Sequence, residues 1–405
     1  MKRTMQLLLT TIMIMALAGA AFAQEETKEK TLSLSGEAKT GIDWERSQLQ
    51  GDPSNDELTM HSRDDAGGGM GRFRLNMDYD NGNNFGFKSR VQWENWNNDR
   101  NVLWQYAFGY GNFFDNQMTV SVGKLGGSPW GTGGPEMWKE LEDNNSGGGM
   151  RVEYKPAFIP EEYGKLNVGF VLNYFNSDRD QGMADIKITL AELLKESIIG
   201  ISYTHDYFLA RFAYRFDSDI DAFQDNKFLE NGGKGEDEIV YRLEEHALKD
   251  FLPGMQMWAL GHFVGLSATN KEIQWFRNWL FAEYNPPELW GITTPFTAQL
   301  RFGLNHIDNR DEFLFKPSFY WHFFNKLLSV GTAFSYCQDF GNKLTEGSPY
   351  QYIELTPKIQ LNFTSSYIAF EYCFRKEYIG EAHAVEGYDP IKQTTWMNLR
   401  FCIYF

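Results

Sequence analysis

Cysteine is scarce: three in 405 residues, too few for a disulfide-stapled scaffold and without the C-x-x-C spacing of a metal site. Positive charge is also short. The 38 Lys and Arg stand against 54 Asp and Glu, a formal net charge of -16, which argues against an electrostatic nucleic-acid binder. Proline is sparse at 13. Only one long apolar run exists, at the N-terminus, so a polytopic helical membrane protein is excluded. Hydrolase signatures are missing too: none of the seven histidines sits in H-E-x-x-H, and there is no G-x-S-x-G. No metal or cofactor is implied. What abounds is aromatic, with 33 Phe, 20 Tyr and 12 Trp, far more than a chain that never packs would carry.

The apolar run reads as a secretory signal peptide over residues 1–23. Lys2 and Arg3 form the basic start, Leu7 to Leu17 the apolar core, and Ala21-Phe22-Ala23 the cleavage site. The run is shorter than the roughly 20 residues of a spanning helix. Residues 24–405 are then one exported domain.

That domain alternates with period 2. Leu32, Leu34, Gly36, Ala38, Thr40, Ile42 and Trp44 are apolar or small, and the residues between them are polar or glycine. Period 2 places the two sets on opposite faces of a strand. Phe73, Leu75, Met77 and Tyr79 repeat the pattern, and so do Phe85, Phe87, Val91 and Trp93 after the turn signal Asp80-Asn81-Gly82-Asn83. Leu166–Tyr174, Phe208–Tyr214, Phe296–Leu304, Phe313–Trp321, Ile368–Phe374 and Thr395–Phe405 continue it. Between Met255 and Tyr284 the phase blurs, because Arg277 falls among Trp275 and Trp279.

Connections alternate in length. Short turns fall near Asp80–Asn83, Phe114–Asn116, His205–Tyr207, Phe324–Lys326 and Thr364–Ser366. Long polar ones fall near Arg46–Gly67, Gly126–Gly147, Phe175–Leu190, Asp217–Asp237, Asp339–Ser348 and Ile379–Lys392. Amphipathic strands of roughly 10 residues, joined alternately by short turns and long loops, are the signature of an all-β transmembrane antiparallel barrel. The count is about 18 strands, with 16 the alternative. A soluble sandwich or propeller would show less uniform amphipathicity, and no propeller-type repeat is evident.

The polar phase is rich in cations. Arg72 and Arg74 lie on one strand and Lys88 and Arg90 on its hairpin partner, where side chains of one face sit about 5 Å apart. Arg211, Arg215 and Arg301 fall on polar faces as well, together with Arg151, Arg242, Lys316, Lys358, Arg375 and Arg400. Cys337, Cys373 and Cys402 share that phase. His306 and His322, with Asp308 and Asp311 between them, offer a base and an orienting carboxylate on adjacent strands.

The chain ends Asn398-Leu399-Arg400-Phe401-Cys402-Ile403-Tyr404-Phe405. A last strand with alternate apolar residues closing on a C-terminal Phe resembles the signal read by the barrel-assembly machinery. With the signal peptide and the alternation, the chain resembles the bacterial outer-membrane porins. Val120-Ser121-Val122-Gly123-Lys124-Leu125-Gly126-Gly127 looks like the strand ending before the long third loop of general porins. That loop, Gly126–Gly147 here, carries Glu136, Glu140, Glu142 and Asp143, but departs from the family's acidic motif and opens on Gly-Gly-Ser-Pro-Trp-Gly. The resemblance implies an outer-membrane location, lipid contact, and passive diffusion of small hydrophilic solutes and ions through a water-filled channel. It also implies a homotrimer and an inward acidic loop facing the basic wall across a transverse field. Two other readings stand beside it: an adhesin or surface-recognition barrel working through its acidic loops, and an outer-membrane hydrolase built on His306.

Overall fold

The computed structural model describes residues 29–49, 57–61, 72–94, 102–133, 141, 149–173, 197–218, 236–265, 274–307, 310–340, 351–378 and 391–405. Residues 1–23, read above as a signal peptide, lie outside them.

The alternating segments form strands β1 (Thr31–Leu49), β2 (Arg72–Asp80), β3 (Phe85–Glu94), β4 (Val102–Phe113), β5 (Met118–Lys124) and β6 (Gly149–Tyr154). They continue as β7 (Lys165–Asn173), β8 (Ile198–Thr204), β9 (Phe208–Ser218), β10 (Glu236–Glu245), β11 (Met255–Val264) and β12 (Trp275–Tyr284). The last six are β13 (Phe296–Ile307), β14 (Arg310–Phe323), β15 (Leu328–Asp339), β16 (Gln351–Phe363), β17 (Ser366–Tyr378) and β18 (Ile391–Tyr404). Each pairs antiparallel with the next, and β18 returns to β1 over Glu37–Leu49. A short strand, Glu57–His61, pairs with the far end of β1. The ring is a closed antiparallel barrel of 18 strands, the larger of the two counts the alternation allows.

Thr31 opposite Asp80 and Glu37 opposite Tyr404 set both ends of the barrel chain at the end that carries the short turns. The turn after β2 follows its Asx chemistry: Asp80 Oδ1 accepts from the Gly82 amide and Asn81 Oδ1 from the Asn83 amide. Three connections at this end are longer than the alternation suggests. Residues 155–164 and 246–254 each hold a short 3-10 turn, and residues 285–295 hold a small hairpin, Glu288–Leu289 with Ile292–Thr293. At the other end, which carries the long connections, β13 and β14 are separated by only two residues.

Burial is inverted relative to a water-soluble protein. Leu32, Leu34, Val122, Ile199, Leu243, Leu304 and Ile359 are exposed on the outer face, while Asp43, Arg72, Arg151, Arg215, Glu238 and Asn398 are buried on the inner one. Lipid offers no hydrogen bonds, so only a sheet without edges can cross it. Outward rings gather toward the turn end, where Phe296 packs with Phe319 and Trp321, and Trp93 and Trp104 stand toward the loop end, positions suited to the two membrane interfaces. The ring is sealed by Phe405: its carbonyl accepts from Gly36 N at 2.7 Å and its amide donates to Gly36 O at 3.1 Å. Its ring covers Gly36 and stacks on Phe73 at 5.9 Å.

Candidate functional site

Register decides which charges meet inside the barrel. Arg72 and Arg74 share the inner face with Lys88 and Arg90, but Arg72 lies opposite Glu94 and Arg74 opposite Gln92, whereas Arg90 faces Asn76 and Lys88 faces Asp78. The four cations therefore stand as two pairs at different heights. The upper pair is tied to one carboxylate on β1: Glu37 lies 2.8 Å from Arg72 and 3.2 Å from Arg74, with Lys39 at 3.3 Å. In the lower pair, Arg90 Nε donates to Asn76 Oδ1 at 2.6 Å and its guanidinium lies over the Tyr106 ring, while Lys88 lies over Tyr110.

The other inner cations are held in the same ways. Buried Arg215 pairs with Glu238, which also meets His262 at 3.1 Å. Arg211 stands opposite Arg242, and Arg242 is countered by Glu244. Arg301 donates to Gln299 at 2.7 Å and lies opposite Lys316. Arg375 bridges Glu354 at 2.6 Å and Glu377 at 3.0 Å between the rings of Tyr352 and Trp396. Glu371 takes both Lys358 and Arg400. Glu37 stands in the polar phase of the first strand, as the alternation has it; Glu354, Glu371 and Glu377 were not singled out in the sequence, although each stands in the polar phase of a strand that also carries a cation.

One arc of the inner wall breaks the polar rule. Phe108 of β4, Val171 of β7, Ile198 of β8, Ala213 of β9 and Val240 of β10 all point inward and are buried. They are covered by the chain that leaves β5. Leu125, Trp130 and, further along, Leu141 pack into the same cluster, so the described part of the third loop lies inside the barrel along β6–β10. Trp130 is fully buried and seated on Gly169 and Gly200, where a Cβ at either would overlap its ring. Burying an indole completely contributes about 5 kcal/mol. That outweighs the about 1–3 kcal/mol for its ring N–H, which has no acceptor among the described residues. Arg242 Nη1 donates to the carbonyls of Thr132 at 2.7 Å and Gly133 at 2.6 Å, and Arg151 Nη1 to that of Gly126 at 3.3 Å. The expected loop carboxylates Glu136, Glu140, Glu142 and Asp143 lie outside the described residues. The sequence signal for this seat is the run of apolar residues in the inward phase of consecutive strands.

His306 and His322 do not meet. His306 is on the outer face near the loop end, 2.7 Å from Asp311 and stacked on Phe276. His322 is inward near the turn end, bonded to Thr297 and Ser329. The three cysteines face inward and are free. Cys373 lies opposite Trp396 and Cys402 opposite Tyr367, so the two are far out of register for a disulfide. Among the described residues no group of His, Cys, Asp and Glu could hold a metal ion.

The chain matches no protein-family model and no curated protein. Solved structures of similar overall course include a loop L8 deletion mutant of OmpT, an outer membrane protein of Vibrio cholerae. It is 11% identical, with a TM-score of 0.48, over 93% of this chain and 100% of that one. The anion-selective porin from Comamonas acidovorans is 12% identical, with a TM-score of 0.46, over 93% and 100%. A mutant of the porin of Rh. blastica is 13% identical, with a TM-score of 0.43, over 92% and 100%. What this barrel does is set by its own residues.

Proposed function

We propose that the chain forms a water-filled channel in an outer membrane, passing small hydrophilic solutes and ions by diffusion. The observation that carries this reading is the closed ring whose outer face is apolar and whose inner face is charged, with a loop segment laid against the inner wall. Ion pairs left partly open, such as Arg375–Glu354 and Arg400–Glu371, cost less to hold beside a solvated bore than in a dry core. The cations Arg72, Arg74, Lys88, Arg90, Arg211, Arg215 and Arg301 are interleaved with carboxylates. The wall therefore presents alternating charge, and the acidic residues Glu136, Glu140, Glu142 and Asp143 complete a transverse field across the narrow part. The protein is exported through residues 1–23, is read by the barrel-assembly machinery at Phe405, and assembles as a trimer.

Refolded protein in a planar bilayer tests this. Discrete, stable openings are the expected result, and a folded barrel that never conducts would overturn it. Neutralising Arg72 and Arg74 together should move the reversal potential toward cation preference.

A further inference from the structure

The seat of Trp130 is an apolar fitting in a wall built for charge. Four inward positions on four consecutive strands, Val171, Ile198, Ala213 and Val240, are apolar and buried. Two more inward positions, Gly169 and Gly200, lack side chains where the indole lies. A bore that only had to hold water would gain nothing from such an arc. The chain on both sides of the indole is fixed as well: Arg151 holds the Gly126 carbonyl before it, and Arg242 holds those of Thr132 and Gly133 after it. Arg242 itself is kept in place by Glu244. Leu141 returns to the same cluster, so the chain is pinned again beyond Gly133.

We propose that Trp130, seated on Gly169 and Gly200 and braced by Arg242, is the positioning residue that holds residues 125–133 against β6–β10 and so sets the open conductance. This rests on the channel reading above. Among the described residues the indole nitrogen has no hydrogen-bond partner, so the fitting acts by shape. Gly200 is the sharper probe of the two glycines, because the nearest atoms a Cβ would meet there all belong to Trp130, whereas at Gly169 the Val152 carbonyl is also in the way.

Five proteins test it in planar bilayers: wild type, Trp130→Phe, Trp130→Ala, Gly200→Ala and the double variant of the two alanine changes, each first shown to be folded by its shift in gel mobility on heating. Trp130→Phe, which refills the seat, should conduct as wild type. Trp130→Ala and Gly200→Ala unseat the segment from opposite sides, and both should raise mean conductance by about 1.5-fold or more, with added open-channel noise. In the double variant Gly200→Ala should add nothing, because the new methyl meets no ring. Wild-type conductance in both single alanine variants, or additive effects in the double variant, would overturn the proposal while leaving the channel standing. A silent wild type would overturn the channel reading instead. The same five proteins in urea would then decide the seat: non-additive midpoints support it, additive ones refute it. If Trp130→Ala fails to fold, Gly200→Ala against Trp130→Phe carries the comparison alone.

Discussion

Glu37 is the single carboxylate whose loss the inner wall should feel most. Its oxygens lie within 3.3 Å of Lys39, Arg72 and Arg74, and 14% of its side chain is accessible. Glu37→Gln keeps the shape and leaves three cations facing one another. An ion passing about 10 Å away in water feels the missing unit charge as roughly 0.4 kcal/mol before screening. At 0.1 M salt the Debye length is about 10 Å, which cuts the effect to roughly 0.15 kcal/mol. The sign is opposite for cations and anions, so the permeability ratio should move toward anions by about 1.7-fold at 0.1 M and about 2.7-fold at 0.01 M, and by almost nothing at 1 M. Reversal potentials under small gradients centred on those three concentrations read this directly. An unchanged ratio at the lowest salt, or a shift that persists at the highest, would refute the reasoning, since neither is what a wall charge in a water-filled bore can do. The variant should also lose about 1–2 kcal/mol of stability, less than a fully buried pair because the lumen is wet.

Phe405→Ala should lower the urea midpoint by an amount equivalent to about 2 kcal/mol, half the usual cost of a buried Phe, because the ring is 55% exposed over Gly36; an unmoved midpoint counts against the seam. Arg375→Met leaves Glu354 and Glu377 without their shared partner and should cost about 2–3 kcal/mol, part of which returns when Glu354→Gln is added; failure of that recovery would show that the pair is not the unit. Cys337, Cys373 and Cys402 are each 2% exposed or less, so a thiol reagent should label none in the folded barrel and all three in urea. Reductant should leave the stability unchanged, and labelling of the native protein would contradict the burial.

Period-2 alternation made most of the ring legible, because an outer face in lipid and an inner face in water impose the same rule on every strand. The rule blurred over β11 and β12 for a physical reason: Trp258, Trp275, Trp279 and Phe281 face inward there. Trp279 covers Gly303 on the next strand, and Arg277 rests on Trp275. Aromatic residues in the wet phase look like a broken pattern until the neighbouring strand's glycine is seen. Partners across strands were illegible for a different reason. Arg72 and Arg74 could be placed on an inner face from the sequence, but their meeting with Glu37 depends on the stagger between β1 and β2, which no periodicity encodes. The Trp130 seat was hidden because it lies on a long connection, and its sockets are glycines.

The order of strands around the ring has a kinetic consequence. Every interface but one joins strands adjacent in sequence, so assembly can proceed through local hairpins, each closing a modest loop. The remaining interface joins residues 37–49 to 392–404, and no step smaller than nearly the whole chain can bring those together. Loop-closure entropy rises only with the logarithm of length, so the thermodynamic cost of that join is bounded. Its cost in time is not, because non-local pairing governs folding rate. Until it forms, β1 and β18 are two unpaired sheet edges of the kind that recruit other chains, so the open ring is the species that an assembly factor or a neighbouring barrel would find exposed.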